Sequence, residues 1–461
     1  MVKHGILLIV ISLSLFGCKD KDGKSDKPSP AFESSIPTDG SVDVKTDIEI
    51  SITFDESISL ASKHGITVNE LPATVMRSNI KLTTIIVTTD LEFQTKYTVK
   101  IPVGAVINTQ GVGLNIPVEF SFTTKPAPKN LGETELVVAN PSSQAVNVYN
   151  FLKENYGIKS ISSTMANVNW NLNEAEWVYK HTGKHPAMAT FDYIHLPFSP
   201  VNWIDYSKTD FIEEWWSYNG LISASWHWNV PKKEGSTEYT YKPEETTFKA
   251  SNALLEGTWE NDFIVADLKK IANYLKLLQQ KEIPVIWRPL HEAAGNIYEY
   301  DGGKAWFWWG AGGAETFKNL WIYMFNYFEA EGLNNLIWVW TTQTKDEAFY
   351  PSDEYVDIIG RDIYNKTGAN DVADQFNQIQ DAYPGKIITL SEFGNVASFQ
   401  SQWSAGAKWS YFMPWYDYDR TINPNSLEFD SPDHQHASAQ WWIDAFANEA
   451  VISLDEMPDL K

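Results

Sequence analysis

Val285-Ile286-Trp287-Arg288-Pro289-Leu290-His291-Glu292 runs from a short apolar segment straight into a histidine and a glutamate, and Ile387-Ile388-Thr389-Leu390-Ser391-Glu392-Phe393-Gly394 repeats the design downstream. Apolar runs of this length bounded by polar residues are those of a strand buried on both faces. Six further segments resemble them, at 160–164, 187–191, 221–226, 336–340, 357–360 and 410–414, which makes eight with 285–289 and 387–391. Helical patterns lie between several of them. One spans 267–280, with Leu268, Ile271, Leu275 and Leu278 on one stripe, and another runs over 315–331 until Gly332 stops it. Eight strands with intervening helices over about 300 residues predict a (β/α)8, or TIM, barrel. In that fold the chemistry sits at the C-terminal ends of the strands.

Those ends are richly supplied. The fourth and seventh carry Glu292 and Glu392 at the barrel mouth. Glycoside hydrolysis needs two carboxyl groups about the scissile bond, about 5–5.5 Å apart when configuration is retained. Either glutamate alone reads equally well as a salt-bridged rim residue; the pair at such sites is harder to explain that way. The second strand ends in Phe191-Asp192-Tyr193, the third in Ser225-Trp226-His227-Trp228, the sixth in Arg361-Asp362-Ile363-Tyr364 and the eighth in Pro414-Trp415-Tyr416-Asp417. A lone histidine is more often structural, but His227 between tryptophans at a strand end favours function. Trp306, in Trp306-Phe307-Trp308-Trp309-Gly310, suits stacking on a sugar ring, while most other tryptophans suit packing. The long polar connection over 232–261 exceeds ordinary loop length and is expected to wall a cleft.

Two other chemistries fail. His291-Glu292-Ala293-Ala294-Gly295 has Gly where a zinc-protease helix needs its second histidine. No Cys/His cluster suggests a metal and no Gly-rich loop a nucleotide, so neither metal nor cofactor is expected. The charge argues similarly. Lys plus Arg number 36 against 59 Asp plus Glu, a net charge of −23, which excludes a nucleic-acid binder working by counterion release. Neutral sugars meet no such penalty.

All 20 tryptophans lie between Trp170 and Trp442, so the chain before them is built differently. Ile48, Ile50, Ile52 and Phe54 alternate with polar residues, as do Tyr97, Val99 and Ile101, then Val118, Phe120 and Phe122. This period of two predicts an antiparallel all-β sandwich over 31–126. Its opening, Ile36-Pro37-Thr38-Asp39-Gly40, and its close, Phe120-Ser121-Phe122-Thr123-Thr124, resemble bacterial Ig-like domains. It shows no catalytic constellation, which makes a spacer the default reading. Pro126-Ala127-Pro128 reads as a short stiff linker to a barrel domain over 127–461. At the N-terminus, an apolar stretch over 6–16 is too short for a membrane span, which needs about 20 residues, and reads as a secretory signal. Leu15-Phe16-Gly17-Cys18 resembles a bacterial lipoprotein signal. A signal peptide over 1–17, a lipidated Cys18 with linker over 18–30, a membrane anchor in the bacterial envelope and exposure at the outer-membrane surface are the expectations. Cys18 is the one cysteine, so no disulfide is expected.

The Trp287–Glu292 motif, the following Trp306-Phe307-Trp308-Trp309-Gly310 and Ser391-Glu392-Phe393-Gly394 together resemble glycoside hydrolase family 26, whose His-Glu pair separates it from relatives with Asn-Glu. The resemblance implies a retaining barrel enzyme, usually an endo-β-1,4-mannanase, acting on mannan, galactomannan or glucomannan. It implies Glu292 as acid/base and Glu392 as nucleophile. His227, Trp306, Tyr364 and Trp415 fall on positions implied to contact substrate, and His291 is grouped with them. Tyr364 would orient Glu392 and Trp415 would floor the reacting sugar. The expected partners are thus β-mannan and the membrane, with a monomer as the assembly. The sequence departs from the family pattern in eleven additional-looking residues over 295–305 and in Ser162-Ser163-Thr164 at the first strand. Rival readings are a 1,3-xylanase or mixed-linkage glucanase of the same family, and a surface glycan-binding protein without catalysis. Two repelling buried acids would serve such a binder poorly.

Overall fold

The computed structural model describes residues 28–461 apart from 45–47, 90, 93, 125–130, 132–134, 167–169 and 201–202. The signal segment, Cys18 and the Pro126-Ala127-Pro128 linker lie outside the described residues. The chain forms two compact units that divide near residue 127.

The N-terminal unit is strand-rich. One sheet holds Phe32–Ile36, Ile50–Phe54, Thr84–Thr88 and Thr74–Arg77; another holds Ser41–Val44, Val118–Thr124, Lys96–Ile101, Thr67–Val68 and Leu71–Pro72. The expected alternation is present in the burial. Ile50, Ile52 and Phe54 point inward along one strand, Tyr97, Val99 and Ile101 along a second, and Phe120 and Phe122 along a third. They form one core with Ile85 and Val87. Val118 and Ile48 only flank it.

The C-terminal unit is a closed barrel of eight parallel strands: β1 (Ser160–Met165), β2 (Met188–Asp192), β3 (Leu221–Trp226), β4 (Val285–Pro289), β5 (Leu336–Thr342), β6 (Ile358–Tyr364), β7 (Ile387–Gly394) and β8 (Tyr411–Pro414). Each pairs with the next, and β1 pairs with both β2 and β8. All eight predicted strands are present, and several continue further toward the mouth than their apolar runs do. β1 is polar yet wholly buried, and the hydroxyls of Ser162 and Ser163 find partners there. Ser162 Oγ donates to the Ile452 carbonyl at 2.6 Å and accepts from the Ala187 N–H, and Ser163 bonds Thr190. The departure at Ser162-Ser163-Thr164 is therefore taken up inside the barrel wall.

The helix predicted at 267–280 begins earlier and spans Trp259–Gln280, capped by Thr258, whose side chain accepts from the Asn261 N–H. Its polar first turn hid it, while Leu268, Ile271, Leu275 and Leu278 are buried as expected. The second predicted helix spans Ala314–Ala330 and stops before Gly332, whose φ of 78° is left-handed.

Candidate active site

A buried cation organises the barrel mouth. Arg288 interrupts the apolar run of β4 and is 1% exposed. Its Nε donates to Thr341 on β5 at 3.0 Å, and Nη1 donates to Ser225 on β3 at 3.3 Å. Nη1 and Nη2 each lie 3.2 Å from Glu392 Oε2 on β7, and Nη2 also pairs with Asp362 on β6. One guanidinium thus ties strands β3, β5, β6 and β7 to β4, and its donor fork is fully used.

Glu392 reaches this cation because the pairing of β6 and β7 slips. Arg361 opposes Leu390, but Asp362 opposes Glu392, leaving Ser391 as an extra residue. Such a bulge re-aims the side chains beyond it. The Ser391 hydroxyl donates to Asp362 Oδ1 at 2.7 Å. Room for it depends on Gly360, where a Cβ would lie 2.5 Å from Ser391 Oγ. The other oxygen of Glu392 accepts the Tyr364 hydroxyl at 2.5 Å. Burial and then the Glu392 charge hold Tyr364 well above the ordinary phenol range, so it remains a donor.

Glu292 is placed differently from its expected strand end. β4 stops at Pro289, which has no N–H to continue the ladder. Leu290 and Glu292 then adopt left-handed φ of 50° and 49°, conformations uncommon for such side chains and held only by their surroundings. Trp309 Nε1 donates to the His291 carbonyl at 2.9 Å, and the Gly295 N–H to that of Glu292 at 2.9 Å. Gly310 packs so closely on this turn that a Cβ would lie 1.6 Å from the Ala293 carbonyl oxygen. The aromatic run therefore splits its work. Trp308 and Trp309 are buried braces, the former donating to the Trp228 carbonyl at 2.6 Å, while Trp306 alone among its tryptophans is exposed.

Glu292 Oε1 accepts Gln343 Nε2 at 2.8 Å, and among the described residues Oε2 has no protein partner. Lost hydration, then the charges of Asp362 and Glu392, push Glu292 well above the usual carboxyl range. Burial and Asp362 push Glu392 up to about 7, against the pull of Arg288 and the Tyr364 hydrogen bond. The pair thus shares a proton that resides on Glu292, since only Glu392 touches a cation. One carboxylate is ready to attack, and one carboxylic acid has a free oxygen.

Two cavities meet at the acid. One of about 430 Å³ is lined by His227, His291, Glu292, Trp306, Glu392 and Trp415, so the structure brings six of the predicted residues together there. Another of about 740 Å³ is lined by Glu292 and Trp306 again, with Tyr364, Gln343, Arg361 and Glu299. His227 and His291 face each other through their Nε2 atoms at 3.0 Å, and the Trp415 ring lies 5.6 Å from that of His227. The long connection after β3 reaches the smaller cavity through Tyr241, Lys242 and Glu244. The additional residues over 295–305 wall the larger one through Glu299, which accepts the Thr344 hydroxyl at 3.1 Å. Sequence reasoning gave no role to Arg288, Asp362, Gln343 or Asp192. Arg288 had a signal as a charge inside an apolar run, and Asp362 and Asp192 as acids at strand ends; Gln343 had none.

Comparison with known proteins gives two family matches, glycosyl hydrolase family 26 over residues 137–436 and a bacterial Ig-like domain over residues 26–124. Mannan endo-1,4-beta-mannosidase B of Piromyces sp is 36% identical over 332 residues, 69% of this chain and 52% of that protein. The chain spans about half the length of the two Piromyces relatives it matches. Among solved structures, the family 26 domain of an endo-beta-mannanase/endo-beta-glucanase from Prevotella bryantii is 38% identical, with a TM-score of 0.64 over 70% of this chain and 98% of that one. A beta-mannanase from a symbiotic protist of the termite Reticulitermes speratus, complexed with gluco-manno-oligosaccharide, is 32% identical, with a TM-score of 0.60 over 72% of this chain and 99% of that one.

Proposed function

Because the chain belongs to glycosyl hydrolase family 26, we propose that it is a retaining β-mannanase cleaving β-1,4-mannosidic linkages in mannan, galactomannan or glucomannan. The observation that carries this reading is the unequal treatment of two carboxyls in one cleft. Glu392 is held by Arg288 and Tyr364, and Glu292 sits where ionisation is costly with Oε2 open to the cavity. In the first step Glu392 bonds the anomeric carbon, the glycosidic C–O bond breaks, and the Glu292 proton passes to the leaving oxygen. In the second, Glu292 takes a proton from water, the water oxygen bonds the anomeric carbon, and Glu392 leaves as carboxylate. Digestion of mannan, galactomannan, glucomannan, xylan and β-glucan tests the assignment. Release of manno-oligosaccharides with retained configuration is expected; cleavage confined to xylan or glucan would overturn the substrate, and cleavage of none would overturn the chemistry.

Trp306 lines both cavities from an exposed position, which suits a sugar-stacking surface beside the acid. Trp306→Ala should weaken transition-state binding by about 1–3 kcal/mol, on the scale of base stacking on aromatic side chains. Unchanged kcat/KM on mannan would return Trp306 to a packing role.

The Ig-like unit is assigned as a spacer, since none of the site residues belongs to it. Leu15-Phe16-Gly17-Cys18 supports a lipid anchor in the bacterial envelope, with the enzyme held at the cell surface. Cys18→Ala should release the protein from membrane fractions into the soluble fraction. Unchanged fractionation would refute the anchor.

A further inference from the structure

Asp192 ends β2 beside the cleft, with its side chain 5% exposed and, among the described residues, no lysine or arginine paired with it. Both of its oxygens serve His227: Oδ1 accepts the backbone N–H at 3.0 Å and Oδ2 accepts Nδ1. A carboxylate only accepts, so Nδ1 of His227 carries a hydrogen. The contact between Nε2 of His227 and Nε2 of His291, at 3.0 Å, needs one hydrogen between them. Burial, then the neighbouring His227 and Arg288, hold His291 well below the ordinary imidazole range, so His291 has a single ring hydrogen. If Nδ1 carries the one ring hydrogen of His227, the hydrogen in the contact belongs to His291, and His291 Nδ1 is left as a lone pair. This nitrogen is buried, has no partner among the described residues, and belongs to a ring lining the smaller cavity with both glutamates. A buried polar atom without a partner is costly until something fills its need.

We propose that Asp192 is a positioning residue, which keeps the His227 hydrogen on Nδ1 and thereby leaves His291 Nδ1 as an acceptor for a sugar hydroxyl in the smaller cavity. The sugar in this proposal rests on the glycanase reading of the site. The free nitrogen of an imidazole is chosen by whatever holds the other, and here that choice passes through two rings.

Asp192→Asn tests this at constant shape. The amide oxygen retains the backbone N–H of His227, which turns the NH2 toward Nδ1. A donor there displaces the His227 hydrogen to Nε2 and the His291 hydrogen to Nδ1, so the chain runs backwards. Imidazole ¹⁵N–¹H correlation spectra of the full-length protein, recorded without substrate, should show His227 protonated at Nδ1 and His291 at Nε2, and both reversed in the variant. The kcat/KM on mannotetraose should fall at least about tenfold, the scale on which groups that orient active-site histidines act, while thermal unfolding stays at the wild-type temperature. Identical tautomers in the two proteins, a doubly protonated His227 in the wild type, or wild-type kcat/KM in the folded variant would overturn the proposal. Should the variant not fold, the wild-type spectra alone decide. A wild-type protein that cleaves no mannan overturns the glycanase reading instead, because the spectra need no turnover.

Discussion

Glu392→Ala should reduce hydrolysis of mannan and of aryl β-mannosides alike by about 10⁴-fold or more, the order of loss when a covalent nucleophile is removed. No leaving group compensates, because the missing group forms the new bond to the anomeric carbon. The geometry adds a second expectation. Arg288 keeps Asp362 as its counter-charge, so the variant retains a paired guanidinium and should fold. Glu392→Gln, which also keeps an acceptor for Tyr364, serves as a control for packing. Added azide can occupy the space of the deleted carboxylate and attack from the same face, which yields an α-mannosyl azide. Proton NMR of the product decides. Substantial residual hydrolysis, or azide product of β configuration, would remove Glu392 from the nucleophile's place.

Why Glu392 was visible in the sequence and Arg288 was not treated as its partner has a physical explanation. A glutamate closing the apolar run Ile387 to Leu390 stands out because burying it is costly. The cation that offsets this lies on a strand three positions round the barrel, and a linear pattern does not connect them. The bulge at Ser391 is similarly hidden, since it is defined by pairing with Arg361 and Asp362. For that reason β6 and β7 looked shorter than they are: their polar ends, Arg361-Asp362 and Ser391-Glu392, are strand residues satisfied across the barrel mouth rather than loop residues. The sandwich was easier, because its strands each bury one face and period two is a local property. Gln343 marked itself by nothing local and Asp192 only by its place at a strand end; their importance consists in the atoms they meet, Glu292 Oε1 and His227 Nδ1. The backbone that carries Glu292 was also illegible. Its left-handed φ follows from Trp309 and Gly310, which stand well downstream and hold the turn from outside.

Glu292→Ala should fail in a different way, and the difference separates the two carboxyls. Mannan hydrolysis should fall by about 10²–10⁴-fold, since a sugar leaving group needs a proton and general acid catalysis contributes on that scale. With an activated aryl leaving group the first step needs little help, so the glycosyl-enzyme forms on Glu392 and then waits for a water molecule that no base activates. The intermediate should accumulate after a burst of aryl release and be detectable by intact-protein mass spectrometry. Azide needs no base; it should accelerate turnover and give a β-mannosyl azide, opposite in configuration to the product from Glu392→Ala. The pH dependence follows from the same environments. In the wild type, kcat/KM on mannan should fall on the acid side as Glu392 takes up a proton and on the alkaline side as Glu292 loses one. The alkaline limb stands far above the ordinary carboxyl range, because burial and the charges of Asp362 and Glu392 disfavour ionised Glu292. In Glu292→Ala, measured on the aryl glycoside for the first step, that limb should vanish while the acid limb remains. A variant that keeps its alkaline limb, ignores azide or shows no covalent intermediate would take the acid/base role away from Glu292.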